Sequence, residues 1–333
     1  MKKLILIAII ASSFVTLSFS FYYMLKIYQS DLSMSSSAGE PMVPKHEERI
    51  VIISQEQGSF MMNAIQKGAH EAAEEHHIKI DFWGVYRSNL EGLIKQIDIA
   101  IASKASGIVV EGVDHPDFNL MVKKATEKGI PIITINSDAP SSLRKSYIGS
   151  DHYQEGIIMG EYIATQLQGK GVVGVIKNLS SPSTDDLRLK GLREVFSKYD
   201  GLKIVTAAND PEMSQPKMQT NDILNHYPNV TAFIGLTTES GESIVQAARS
   251  RSRTKEYPIF LFDDSPQTIM LIKNGQVKAG LSQHYEDMGI LSVNLMKRWL
   301  DATQLPLENS YFTPISVVTS SGEKEKALEN HSK

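Results

Sequence analysis

The chain has 333 residues, 41% hydrophobic and 22% charged, with a formal net charge of −4. That length exceeds what one compact core organises and points to two lobes, while the interspersed charges leave no basic footprint for nucleic acid. Cysteine is absent, which excludes disulfides, thiolate metal sites, a cysteine nucleophile and a lipid-modified N-terminal cysteine.

Residues 1–28 stand apart from the rest. Lys2 and Lys3 precede an apolar run over residues 4–25, broken only by small hydroxyl residues and closed by Lys26. As a helix rising ~1.5 Å per residue the run reaches ~33 Å, about the thickness of a hydrocarbon core. Positive charge ahead of it predicts an N-terminus inside and the remainder outside the cytoplasm. A cleaved signal peptide also fits: residues 4–15 would form its apolar region, with Ser18 and Ser20 at the cut, and the product would be periplasmic or secreted. Phe21, Tyr22 and Tyr23 extend the run and end it in an aromatic belt, which favours an uncleaved anchor and a single-pass protein of the cell membrane. Residues 29–48 carry Ser, Met and Pro without periodicity and read as a flexible linker.

From Arg49 onward, short β-branched runs alternate with helix-period segments. Strands are expected over 49–54, 79–84, 107–111 and 131–136, with helices near 60–75, 90–101 and 118–127 between them. Leu90, Ile94, Ile97 and Ile101 make one apolar stripe. Continuous apolar strands bounded by loops suit a parallel sheet buried on both faces, and the alternation is that of a doubly wound α/β fold. After a short strand at 147–149 the pattern restarts. Helices are expected at 152–167, 185–197, 215–226, 239–251, 266–274 and 288–300. Strands are expected at 172–177, 203–208, 232–235, 259–263, 279–283 and 312–318. Two similar units in tandem follow, without a residue-level repeat.

Most motifs that could carry chemistry fail on context. Residues 169–174 match G-x-G-x-x-G, but the match follows a helix and enters a strand, the reverse of a dinucleotide turn, so it reads as a helix C-terminal turn. There is no Walker motif and no G-x-S-x-G. Nine histidines are scattered; His76 and His77 are adjacent and lack the i, i+4 pairing of a helical metal site. His284 follows a cleft position and could touch ligand, but a lone histidine is more often structural. No metal site and no cofactor is called for.

Planar polar residues gather instead at the C-terminal ends of strands, where open α/β sheets bind ligands. They are the stretch 55–62 after the first strand, Asn136-Ser137-Asp138, Arg188, Thr237-Thr238, Asp263-Asp264 and Gln283. Asp, Asn, Gln and Arg suit hydroxyl groups, which donate and accept together, and buried polar groups must be paired. Singly, each is more often a strand-end turn or cap residue; the pattern across both halves points to a small polar ligand, most simply a sugar.

Here the sequence resembles the ribose-binding type of periplasmic sugar-binding protein, the type I solute-binding fold, over roughly residues 49–319. The resemblance rests on Gln66-Lys67-Gly68-Ala69, Ile130-Pro131-Ile132-Ile133-Thr134-Ile135-Asn136, Arg188-Leu189-Lys190-Gly191 and Tyr227-Pro228-Asn229-Val230-Thr231-Ala232. Phe262-Asp263 before Pro266, and Gly275 and Ala279 before Gln283, complete it. It implies two doubly wound parallel-sheet lobes, 49–150 plus 284–312 and 151–283 plus 313–321, with a flexible tail over 322–333. Three hinge crossings near 149–151, 283–284 and 306–314 would join them. It also implies ligand contacts from Ser59, Phe60, Met61, Asn136, Ser137, Asp138, Arg188, Thr237, Asp263 and Gln283. In close relatives the first-loop aromatics fall where Met61 and Met62 stand here, and Thr237 replaces a usual amide. The same fold serves LacI-type repressors, but the place of their helix-turn-helix is taken by the membrane segment.

The implied partners are a sugar together with either an ABC permease, for import, or a transmembrane sensor histidine kinase, for signalling. An enzyme acting on a glycoside would need two carboxylates facing one ligand ~5–10 Å apart, for which Asp138 and Asp263 are the candidates.

Overall fold

The computed structural model describes residues 18–22, 24, 48–86, 89–177, 182–207, 215–237, 240–251, 256–321 and 324–326. The expected anchor and linker therefore lie largely outside the described residues; 18–22 and 24 are helical. Among the described residues no helix is long and apolar enough to cross a membrane. Thr238 and the expected first residue of its helix, Glu239, also lie outside them.

The β-branched runs form strands where their patterning places them. β1 (Arg49–Ser54), β2 (Lys79–Gly84), β3 (Gly107–Glu111), β4 (Ile132–Ile135) and β5 (Ser146–Gly149) join β11 (Ser310–Phe312) in one sheet, ordered β11-β5-β4-β3-β1-β2. Every pairing in it is parallel. Successive side chains alternate between faces. Ile50, Ile52 and Ile133 pack with Ile65 of α1 (Phe60–His76) and Met288 and Leu295 of α9 (Tyr285–Leu300). On the other face Val51, Ile53 and Val110 meet Leu93 and Ile97 of α2 (Leu90–Ala102) and Phe118 and Val122 of α3 (Pro116–Glu127). Burial on both faces is why these strands lack polar alternation.

The second sheet takes β6 (Lys170–Ile176), β7 (Gly201–Thr206), β8 (Ala232–Gly235), β9 (Ile259–Leu261), β10 (Ala279–Ser282), β12 (Ser316–Thr319) and β13 (Lys324–Lys326), ordered β13-β12-β10-β9-β8-β6-β7. It is parallel from β7 to β10 and antiparallel at β12 and β13. α4 (His152–Gln166) and α5 (Pro182–Phe196) cover one face through Met159, Ile163, Leu189 and Leu192. α6 (Pro216–His226), α7 (Ser240–Arg251) and α8 (Pro266–Lys273) cover the other through Ile223, Ile244 and Ile272.

Two expectations are corrected. The single strand expected over 312–318 is two: Ser310–Phe312 pairs with β5 of the first sheet and Ser316–Thr319 with β10 of the second. Pro314, which has no N–H to give a ladder, lies between them. Within the expected tail, residues 324–326 pair antiparallel with β12; their Lys-Glu-Lys composition, common on an edge strand, hid the extended segment. The remainder of 322–333 lies outside the described residues.

The chain passes between the sheets after Gly149, after Ser282 and after Phe312. Thr313 ties the three passes together: its backbone N–H donates to Gly149 O at 2.9 Å and its hydroxyl to Gln283 O at 2.9 Å. At the second pass His284 adopts φ 54°, and its Nε2 lies 3.0 Å from Ser316 Oγ. Helix pairs in both lobes meet through glycine. A Cβ at Gly68 would overlap the Glu286 carbonyl across α1 and α9, and one at Gly156 would overlap the Arg188 carbonyl across α4 and α5.

Candidate ligand-binding site

A cleft of about 200 Å³ is lined by side chains from both sheets' strand ends and from the helices that follow them. It is smaller than the ~300–1,000 Å³ of drug-sized pockets and suits one small polar molecule.

Gln55, Glu56, Met61, Glu111, Asn136, Ser137 and Tyr285 form its first-lobe side. Glu111 ends β3 and is buried, 4% exposed. Its Oε2 accepts from Ser54 Oγ at 3.0 Å and Gln55 N at 2.5 Å, and its Oε1 from Asn136 Nδ2 at 3.1 Å. Burial nevertheless raises the carboxyl above its ordinary range, against those three bonds, and Glu56 adds repulsion. Asn136 holds φ 63°, a left-handed conformation that Asn tolerates better than most residues. Ser137 Oγ donates to Gly112 O at 2.8 Å.

The opposite side is formed by His152, Thr184, Asp185, Arg188, Leu236, Thr237 and Gln283. Arg188 is fixed from three directions. Its Nε donates to Glu155 Oε2 at 2.6 Å, its Nη1 donates to Leu236 O at 2.6 Å, and its guanidinium carbon lies 4.9 Å from the Phe262 ring centroid. Glu155 is fully buried. Burial alone would push its carboxyl up, but the Arg188 guanidinium and His152, whose Nδ1 is 3.1 Å from Oε2, hold it down at about 2. His152 Nε2 and Glu155 Oε1 are buried and have no hydrogen-bond partner among the described residues. Gln283, 2% exposed, follows β10 where Thr313 holds its carbonyl.

Of the residues singled out from the sequence, Met61, Asn136, Ser137, Arg188, Thr237 and Gln283 line this cleft. The other four are engaged elsewhere. Ser59 is the N-cap of α1 and accepts from Met62 N at 3.2 Å. Phe60 is partly exposed and meets Tyr285 edge-on, centroids 6.4 Å apart. Asp138 is taken up by Arg144, at 2.5 and 2.6 Å, and by Thr134 Oγ1 at 2.8 Å. Asp263 accepts from Ser265 N at 3.0 Å, Ser265 Oγ at 2.8 Å and Thr268 Oγ1 at 2.5 Å, at the start of α8. Short hydroxyl side chains nearby in sequence, Thr134 for Asp138 and Ser265 and Thr268 for Asp263, give these strand-end carboxylates local partners. Both carboxylates of the glycosidase alternative are thus committed to structural bonds.

Glu111, His152, Asp185 and Tyr285 were not singled out. A carboxylate closing the apolar run GIVVE was the available signal for Glu111. Nothing local marks His152 or Asp185, because their place depends on how α4 meets α5.

A family model described as a periplasmic binding protein domain matches residues 50–304. The D-ribose/D-allose-binding protein of Pseudomonas aeruginosa is 22% identical over 284 residues, covering 81% of this chain and 88% of its own. GanP, a glucose-galactose binding protein from Geobacillus stearothermophilus, has a solved structure that is 25% identical with a TM-score of 0.76, over 83% of this chain and 99% of that one. A chain of the XylFII–LytSN complex is 25% identical with a TM-score of 0.72, over 83% and 99%. With two parallel-sheet lobes flanking a polar cleft and a family match over most of its length, the chain belongs to the periplasmic binding protein family and has the type I solute-binding fold.

Proposed function

We propose that the chain is the extracytoplasmic capture component of a sugar importer, holding one sugar or sugar derivative between its lobes and presenting it to an ABC permease. The observation that carries this reading is the shared lining: Asn136 and Ser137 from one lobe and Arg188, Thr237 and Gln283 from the other border a single cleft. A ligand that meets polar groups from both lobes at once stabilises their approach, and the permease then reads the closed surface. The binding proteins it resembles are named for ribose, allose, glucose and galactose, which supports the ligand class. The apolar run over residues 4–25 supports retention at the membrane, with the N-terminus inside.

One observation favours a second reading. XylFII, of the same fold, forms a complex with LytSN, so a chain like this one can act by docking on a partner other than a permease. In that reading the sugar-loaded chain signals through a membrane sensor kinase.

A thermal-shift screen of the full chain against pentoses, hexoses and polyols tests the capture role. A true ligand at about 100 times its Kd adds about 2.7 kcal/mol of stability, and the sugar is recovered unchanged. Absence of stabilisation across the panel, or conversion of the sugar, defeats the proposal. Deleting the gene separates the two partners: loss of sugar uptake supports import, whereas retained uptake with a lost transcriptional response supports sensing.

A further inference from the structure

We infer that Tyr285 is a specificity-determining residue: its phenolic hydroxyl hydrogen-bonds the bound sugar from the first lobe, at the same sugar hydroxyl that the Gln283 amide meets from the second. The inference rests on the capture role proposed above and deepens it at that same site.

The first observation is a pair of buried polar groups left open. Tyr285 is 5% exposed, and its ring packs in the first lobe's core with Met62, Ile65 and Met288 and edge-on to Phe60. Tyr285 and Gln283 both line the cleft. Neither the Tyr285 hydroxyl nor the Gln283 side-chain amide has a hydrogen-bond partner among the described residues. A buried tyrosine usually finds a partner for its hydroxyl, and a buried polar group left unmet is costly. Burial raises the phenol above its ordinary range; Arg188 opposes this, while Asp264, Glu155 and Asp263 add to it. The group is therefore a neutral hydroxyl that both donates and accepts. All of those charged residues belong to the second lobe, so the hydroxyl sits within the field of the opposite wall.

The second observation is where the pair stands. Gln283 follows β10, Tyr285 opens α9, and one residue, His284, separates them. His284 is left-handed, with φ 54° and ψ 57°, a conformation that a non-glycine residue keeps where its surroundings hold it. Its Nε2 lies 3.0 Å from Ser316 Oγ, and Thr313 Oγ1 donates to Gln283 O at 2.9 Å. The two open groups therefore flank the second pass between the lobes, one on each side of a fixed residue. A sugar hydroxyl can accept from the Gln283 amide and exchange a hydrogen bond with the phenol at once. Such a hydroxyl bridges the pass, and a ligand that carries it favours the closed arrangement over one that does not.

Isothermal titration of the full chain and of Tyr285→Phe tests this, with D-ribose, D-allose, D-glucose and D-galactose, each beside its monodeoxy derivatives. Tyr285→Phe removes the hydroxyl alone and should weaken binding of the preferred sugar about tenfold, or about 1.4 kcal/mol. At one position of that sugar, removing the hydroxyl should cost about tenfold in wild type and about threefold or less in the variant, the coupling expected of groups in contact. The unliganded variant should melt no lower than wild type, because the lost hydroxyl has no partner within the fold. Unchanged affinity, or the same deoxy-sugar losses in both proteins at every position, overturns the inference and leaves the capture role standing. A lowered Tm with an unchanged deoxy-sugar pattern makes the hydroxyl structural and overturns it as well. Failure of wild type to bind any of these sugars overturns both readings.

Discussion

Glu155 on α4 and Arg188 on α5 form a buried ion pair, Oε2 to Nε 2.6 Å, between residues 33 apart in sequence. The helices bring them together because neither has a side chain where they cross. A Cβ at Gly156 would overlap the Arg188 carbonyl, and one at Gly191 the Tyr153 carbonyl. Arg188 borders the cleft, so the packing of two glycines sets the pose of a guanidinium in the cleft wall.

Removing one member of this pair should cost far more than removing both. Glu155→Ala leaves a buried guanidinium without its counter-charge and should lower stability by about 3–5 kcal/mol. Glu155→Ala with Arg188→Met removes the charge burden and should recover most of that loss. Urea denaturation of the two variants beside wild type decides. Equal destabilisation of the single and double variants would show that the pair is solvated and contributes little.

The two buried carboxylates pull the pH profile in opposite directions. Glu155 is held at about 2, below its ordinary 4.5, so the unfolded chain binds the proton first. Its contribution is complete above about 4.5 and is lost as pH falls toward 2. Glu111 is raised by burial. Its contribution is present at low pH and is lost as pH rises through its folded value. Glu111→Gln should therefore flatten the decline on the alkaline side of the stability maximum and leave the acid limb unchanged. Thermal melts across pH check both limbs, and a profile unaltered on the alkaline side contradicts the role given to Glu111.

Gly191→Ala should disturb the site from a distance. The added methyl meets the Tyr153 carbonyl, α4 and α5 must separate, and overpacking of this kind costs about 1–3 kcal/mol. Because Arg188 is held against Glu155 by that contact, ligand affinity should fall together with Tm. Calorimetry and a thermal melt on one preparation test the coupling. A lowered Tm with unchanged Kd would mean that Arg188 keeps its pose without the close approach.

The parallel sheets were legible in sequence because their strands are buried on both faces, so runs such as RIVIIS and PIITIN carry no competing polar signal. The cleft was legible where a residue's position follows from its own strand end, as for Asn136, Ser137 and Gln283. It was obscured where tertiary packing decides. His152 and Asp185 reach the cleft only through the α4–α5 crossing. Asp263 and Asp138 have the chemistry of ligand contacts, but local hydroxyls and Arg144 claim them. Sequence shows which groups can hydrogen-bond, and neighbours decide with what.

That distinction separates two strand-end residues of the second sheet by experiment. Asp263 follows β9 and binds Ser265 and Thr268, so Asp263→Ala strips the start of α8 of a buried acceptor. Hydrogen bonds to a charged group contribute about 1.5–3 kcal/mol, and Tm should drop by several degrees while the ligand-induced increase survives. Gln283 follows β10 and lines the cleft. Gln283→Ala should leave the unliganded Tm nearly unchanged and weaken binding about tenfold, or about 1.4 kcal/mol. Thermal melts of both variants with and without sugar settle the assignment. A binding loss in Asp263→Ala without loss of stability would return Asp263 to the ligand shell and remove it from the helix cap.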